Sequence, residues 1–216
     1  MEDIRLNKTR LGIIGSGGFG REVLQLSRDI QNKKDAWFDE IYFVELDDFH
    51  TKEIVDETRV LKLSDCDLDK MSFVIAIGDP LLKSEIYNAL PINIHFTSLI
   101  SPLAFVGIDV KYDNGLIVMP FSYLSCNVKL GKHIHVNSHC TIGHDTYIGD
   151  FSTTACSVMI SGENNISEFC YFGMNSSTRQ GISICEKVTL GLNAGVVKDI
   201  TKSGIYIGTP SKFLSI

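Results

Sequence analysis

The sequence predicts two domains of different construction: an α/β subdomain over residues 1–95 and an all-β domain, a triangular coil of parallel strands, over residues 96–216. Three observations predict this. Apolar residues recur at every sixth position from Ile100 to Val196. Ahead of Ile100, short apolar runs alternate with helical patterns. Where the first such run meets a helical pattern, the chain reads GSGGFG, a G-x-G-x-x-G motif in its required strand-to-helix context.

The α/β elements follow in order. LGIIG (11–15) is a short buried strand. After the glycines, Val23, Leu24, Leu26 and Ile30 suit one face of a helix. IYFVEL (41–46) is a second strand, ending in Asp47 and Asp48, and FVIAIG (73–78) is a third. Pro80 suits the first turn of a helix that runs to about Leu90, because its missing N–H is unpaired there anyway. INIHFTSLI (92–100) is a last extended piece. The β-α-β order implies a small parallel sheet.

The second half has period six. Of its 17 anchor positions only Thr154 and Thr178 are plainly neither apolar nor aromatic. Neither a helix nor a hairpin sheet has this period. A triangular coil does: each hexad supplies a short strand and a corner, three hexads make a turn, and residues 18 apart stack at about 4.8 Å. The anchors point inward, and the position two before each anchor, small or β-branched in most cases, also points in. Glycine often follows the anchor, as at Gly107, Gly131, Gly143, Gly149, Gly173 and Gly191, where it is expected to relieve the backbone. Such a repeat stacks its own core.

Composition sets limits on function. The formal net charge is −6, which argues against a general electrostatic grip on nucleic acid or an anionic membrane. No apolar run approaches the roughly 20 residues that span a bilayer. The N-terminus MEDIRLNKTR lacks a secretory apolar region. A cytoplasmic location is therefore expected. Six cysteines occur without a CxxC pair, five of them in the repeat, and they read as reduced core thiols.

His144 is followed by Asp145. Neutral imidazole, with a pKa near ~6.5, suits removal of an acceptor's proton at cellular pH. A carboxylate beside it can fix the tautomer and raise its basicity. Adjacent side chains on extended chain point apart, but His144 lies two residues past the anchor Ile142, at or near a corner. His133, His135 and His139 precede it, and a zinc site is the alternative reading. The 18-residue rule stacks Phe151, Thr153, Ser157 and Gly162 on these four histidines, so no histidine stacks on another and no metal is expected.

The repeat, with IGHDTYIGDFSTTA (142–155), FGMNSS (172–177), LGLNAGVVKDI and YIGTPSKFL, resembles the hexapeptide-repeat acyltransferases, in particular the sialic-acid O-acetyltransferase-like sugar acyltransferases. GSGGFG, ELDDF (45–49) and AIGDP (76–80) extend the resemblance over nearly the whole chain. It implies a left-handed parallel β-helix behind a Rossmann-like, sugar-nucleotide-binding domain. The branch includes N-acetyltransferases of nucleotide-linked 4-amino-4,6-dideoxy sugars in bacterial surface glycan synthesis. The implied reaction uses acetyl-CoA as acyl donor. His144 acts as general base with Asp145, and a backbone amide near Gly162 steadies the oxyanion. The implied sugar-nucleotide contacts are Gly15, Ser16, Gly17, Gly18, Phe19, Gly20, Asp47, Asp48 and Gly78. Those for acetyl-CoA are Thr153, Gly162, Gly173, Met174, Gly191 and Leu192, in a groove between adjacent β-helices of a homotrimer. Lys187, Lys198, Lys202 and Lys212 are candidates for the coenzyme phosphates. The family often carries histidine where this chain has Phe19 and Thr153. Sugar O-acetylation, and a zinc-dependent enzyme of the γ-carbonic-anhydrase type, are the alternatives.

Overall fold

This computed structural model of the chain describes residues 9–33 and 37–214. The stretch 1–8, part of the N-terminus read above as lacking a secretory region, lies outside the described residues. The chain divides into two compact units. One runs to Gly78 and includes Leu82–Leu99; the other comprises Asp79–Leu81 and the chain from Ile100 onward. Among the described residues no helix is long and apolar enough to cross a membrane.

The first unit is an α/β sheet built from β1 (Arg10–Ile14), α1 (Gly18–Gln31), β2 (Glu40–Glu45), β3 (Ile54–Val55), β4 (Thr58–Lys62), β5 (Met71–Ile75) and, from Leu82 on, α2 (Pro80–Ala89). The strand order is β3-β4-β2-β1-β5. Gly12 of β1 lies between Tyr42 of β2 and Phe73 of β5, both parallel to it. All five residues of β5 are buried, as suits a parallel strand covered on both faces. Val23, Leu24 and Leu26 of α1 are buried, whereas Ile30, in its last turn, is only partly so. The sheet is not purely parallel. β3 and β4 form an antiparallel hairpin that the sequence reading lacks. Its two turn residues, Asp56 and Glu57, both have positive φ, of 44° and 61°. That is the geometry usually carried by Asn-Gly or Asp-Gly, so Asp-Glu gave no turn signal.

The second unit is a left-handed parallel β-helix. From Leu99–Ile100 to Gly195–Val196 it repeats a two- or three-residue strand every six residues. Strands 18 residues apart pair in parallel, for example Tyr123 with Thr141 and Leu124 with Ile142. Three faces result. Face one carries His135–Val136 and Thr153–Thr154; face two carries Thr141–Ile142 and Met159–Ile160; face three carries Tyr147–Ile148 and Asn165–Ile166. The chain visits them in that cyclic order. The inward anchors, such as Leu124, Ile142, Ile160, Ile166 and Phe172, form one continuous buried column. The two polar anchors are also buried. The Thr154 hydroxyl accepts the N–H of Asn137, and that of Thr178 accepts the N–H of Ser161, each at 3.2 Å.

The corners revise the expected role of glycine. The left-handed residue is the third after each anchor: every sixth residue from Asp109 to Asn193 has positive φ, and only Gly115 and Gly181 among these are glycine. The glycine directly after an anchor answers a different need. A Cβ on Gly143 would lie 2.4 Å from the Gly162 nitrogen, and one on Gly149 2.6 Å from that of Glu168. Glycine there lets the next coil approach rather than relieving its own torsions.

The cysteines are all free. Cys140 and Cys170 are buried in the core, and burial pushes the Cys170 thiol up to about 12 and raises that of Cys140. Cys126, expected among the core thiols, is exposed instead. It directly follows Ser125 on a face-two corner and points away from the column.

Candidate active site

His144 and Asp145 lie on the corner between faces two and three. Asp145 is the left-handed residue of that corner, with φ 58°. This turn overcomes the divergence of neighbouring side chains: His144 Nδ1 donates to Asp145 Oδ2 at 2.8 Å. With its proton held on Nδ1, the ring keeps Nε2 as its basic nitrogen. One coil earlier, Asn127 Nδ2 donates to Asp145 Oδ1 at 2.9 Å. The His144 and Asn127 hydrogen bonds hold Asp145 below the usual carboxylate range. Both members of the pair are about half exposed, so a substrate can reach them.

Gly162 is the floor of this corner. A Cβ there would lie 2.6 Å from His144 Nε2, so only glycine accommodates the ring as it stands. Asn164 is buried, and its amide donates to the carbonyls of Ser161, Gly162 and Arg179 at 2.7, 3.1 and 3.2 Å. It pins the backbone on both sides of Gly162. Neither Asn127 nor Asn164 was picked from the sequence. The signal available was the 18-residue rule, which stacks Asn127 under Asp145.

The other three histidines of the repeat are spread over the coil. His133 is on the corner between faces three and one, His139 on that between faces one and two, and His135 on face one itself. His133 stacks on Phe151 and His139 on Phe121, with centroids 5.4 and 5.1 Å apart. Among the described residues no group of three or more His, Cys, Asp or Glu is placed to hold a metal ion.

The residues expected to meet acetyl-CoA divide between two edges of the prism. Gly162 shares the His144 corner. Gly173, Met174, Gly191 and Leu192 lie on the corner between faces one and two, where Met174 and Leu192 are 51% and 65% exposed. Gly173 and Gly191 are required by packing, since a Cβ would meet Leu190 O at 2.6 Å and Ile207 Cγ2 at 2.8 Å. Thr153 is on face one and 5% exposed. Lys202 lies over the Phe213 ring, 4.3 Å from its centroid, and Lys187 is 3.8 Å from Glu186.

In the first unit the four motif glycines separate into two kinds. Gly15 has φ +102°, and a Cβ on Gly20 would come 2.0 Å from Gly15 O, so these two build the strand-to-helix turn. Around Gly17 and Gly18, and also Gly78, a Cβ would meet nothing within 4 Å. Gly17 caps α1 without a side-chain hydrogen bond, and no acid occupies the helix's first turn. An unblocked helix N-terminus of this kind favours a phosphate. Phe19, in that same first turn, is partly buried.

A cavity of about 240 Å³ opens nearby, lined by Ile14, Gly15, Val44, Glu45, Leu46, Phe49, Ile77, Leu82 and Ile86. Neither Asp47 nor Asp48 lines it. Both are exposed, and Asp47 Oδ1 accepts the Ser64 N–H at 3.1 Å. Hydrogen bonds from Ser64 hold Asp47 below the usual carboxylate range. The acid at the cavity is Glu45, whose Oε1 accepts the Ser16 hydroxyl at 2.5 Å. Glu45 was missed because ELDD presents three acids and only the pleat of β2 decides which one turns inward.

Residues 10–90 match the PglD N-terminal domain family. The chain is 27% identical over 182 residues to a GDP-perosamine N-acetyltransferase of Escherichia coli O157:H7, covering 79% of this chain and 78% of that one. The acetyltransferase domain of PglB from Neisseria gonorrhoeae FA1090, solved in complex with acetyl coenzyme A, superposes with a TM-score of 0.87 at 25% identity, over 96% of this chain and all of that one. PerB from Caulobacter crescentus, solved with CoA and GDP-perosamine, shares the fold with a TM-score of 0.84 at 21% identity, over 95% and 97% of the two chains.

Proposed function

We propose that this chain, a hexapeptide-repeat sugar acyltransferase whose N-terminal unit matches the PglD N-terminal domain family, moves the acetyl group of acetyl-CoA to the amine of a nucleotide-linked 4-amino-4,6-dideoxy sugar. The observation that carries this reading is the His144–Asp145 pair, joined at 2.8 Å on an exposed corner above Gly162. His144 Nε2 takes the amine proton as nitrogen attacks the thioester carbon. The carbonyl oxygen becomes an oxyanion steadied by a backbone N–H near Gly162, and collapse expels the CoA thiolate. No covalent acyl-enzyme is needed: Cys126, the exposed thiol one coil below His144, has no assigned part in the transfer, and Cys140 is buried.

The N-terminal unit holds the nucleotide, with its phosphates at the open N-terminus of α1. A homotrimer, with the coenzyme between adjacent β-helices, accounts for the two separate edges: one copy supplies His144 and Asp145, its neighbour Met174 and Leu192. Bacterial surface glycan synthesis in the cytoplasm is the setting that fits this substrate. Supporting the reading is the likeness to a protein named for acetylating GDP-perosamine, itself a nucleotide-linked amino sugar.

The test is acetyl transfer by the purified chain to UDP-, GDP- and dTDP-linked 4-amino-4,6-dideoxy sugars, followed by thiol release and product mass. An acetylated product that survives mild base is an amide; one that does not is an ester and favours O-acetylation. Absence of transfer to every amine overturns the proposal.

Two variants dissect the site. Asn127 has φ 60°, so Asn127→Gly removes its amide without straining the corner. Loss of one hydrogen bond to a charged group should lower kcat about 10-fold, with the KM for acetyl-CoA unchanged. Gly17→Ala puts a methyl into open space at φ −74°. Thermal stability should fall by no more than about 1 kcal/mol, the scale of a weakened N-cap, while nucleotide affinity measured by calorimetry falls.

A further inference from the structure

We infer that Glu45 makes this chain selective for a guanine nucleotide. The inference rests on the proposed function and adds the base. The cavity beside Gly15 is about 240 Å³, below the roughly 300–1,000 Å³ of sites that enclose whole drug-sized ligands. It suits a fragment the size of a heterocyclic base. Its walls are apolar: Ile14, Val44, Leu46, Ile77 and Ile86. At its mouth Phe49 is 71% exposed although it lines the space, which offers a flat ring for stacking.

Glu45 is the single ionisable side chain of this lining. Its Oε1 accepts the Ser16 hydroxyl, so the Gly-rich loop fixes the orientation of the carboxylate. Its Oε2 is buried and has no hydrogen-bond partner among the described residues. A buried acceptor without a donor is costly, so the arrangement calls for a ligand that brings N–H or O–H to this spot.

A carboxylate only accepts, and it pairs best with two parallel donors. Guanine offers that edge, with N1–H beside the exocyclic N2 amino group. Hypoxanthine keeps N1–H and lacks the amino group. Uracil and thymine set one N–H between two carbonyls, which face the carboxylate with lone pairs. Adenine and cytosine pair one amino group with an acceptor nitrogen. Guanine therefore satisfies Glu45, and the other common bases leave it short of donors or repel it.

Calorimetry on the full chain with GDP, IDP, ADP, UDP and dTDP tests this, using wild type and Glu45→Gln. GDP should bind about 10- to 100-fold more tightly than ADP, UDP or dTDP, the scale of a charge-assisted pair, with IDP between. Glu45→Gln should erase that preference by weakening GDP, with UDP binding no weaker than before, since the amide no longer repels the uracil carbonyls. Equal binding of UDP or dTDP by the wild type overturns the inference. So does an equal loss for every nucleotide in Glu45→Gln, which marks a contact to the ribose. Where Glu45→Gln does not fold, the wild-type ranking of GDP over IDP over UDP decides alone. Transfer to a UDP- or dTDP-linked amino sugar without guanine preference removes the base assignment and keeps the enzyme. Absence of both nucleotide binding and transfer removes both.

Discussion

His144→Ala is expected to lower kcat for acetyl transfer by at least ~100-fold, the usual scale for a lost general base. The expectation follows from what the ring does alone on its corner. Its Nδ1 is committed to Asp145 at 2.8 Å, and its Nε2 faces the backbone of Gly162. No other histidine shares that corner, so no second imidazole stands in for the lost base. The side chain is 44% exposed, so its removal leaves no core cavity and melting should hardly move. The measurement is kcat at saturating acetyl-CoA, with melting as the control. Near-normal kcat in a folded variant would overturn the base assignment. Asp145→Asn keeps a residue that tolerates left-handed backbone but can hold Nδ1 in the wrong tautomer. It should fall on the same side as His144→Ala, with a loss set by how far the ring reorients.

Period is what made the second unit legible. A hexad repeat determines strand, corner and the 18-residue partner together, so Tyr123–Thr141 and His135–Thr153 follow from counting. Counting also separates His133, His135 and His139 from His144. It does not say which corner residue turns left-handed, because Asp145, Phe151, Ser157 and Glu163 share no side-chain signature. Stacking imposes that torsion on whatever residue stands there. The first unit was less legible for a related reason. Its strands were found as apolar runs, but β3–β4 turns on Asp56-Glu57, which carries no turn signal. The choice among Glu45, Asp47 and Asp48 depends on side-chain direction at the end of β2. Composition cannot supply that direction, and resemblance pointed to the two acids that lie outside the cavity lining.

Gly143→Ala should be among the most damaging single methyls in the β-helix, even though it touches neither the catalytic ring nor a ligand. The added Cβ would sit 2.4 Å from the Gly162 nitrogen and 2.5 Å from the Ser161 carbonyl carbon. Those are backbone atoms of the next coil, which are hydrogen-bonded across the faces and cannot swing aside as a side chain would. Overpacking of this kind costs about 1–3 kcal/mol. At about 2–4 °C per kcal/mol for a chain of this size, melting should fall by roughly 2–12 °C. Each coil is supported only by its neighbours, so the strain is not shared along the solenoid. It falls on the contact that seats His144 over Gly162, and kcat should drop with stability. Alanine at Gly17, with nothing within 4 Å, is the contrasting case, and it should cost only the difference between glycine and alanine at an N-cap, about 1 kcal/mol or less. If Gly143→Ala melts within about 1 °C of the parent, the spacing between coils is softer than solenoid packing requires, and close approach is not why glycine follows the anchor.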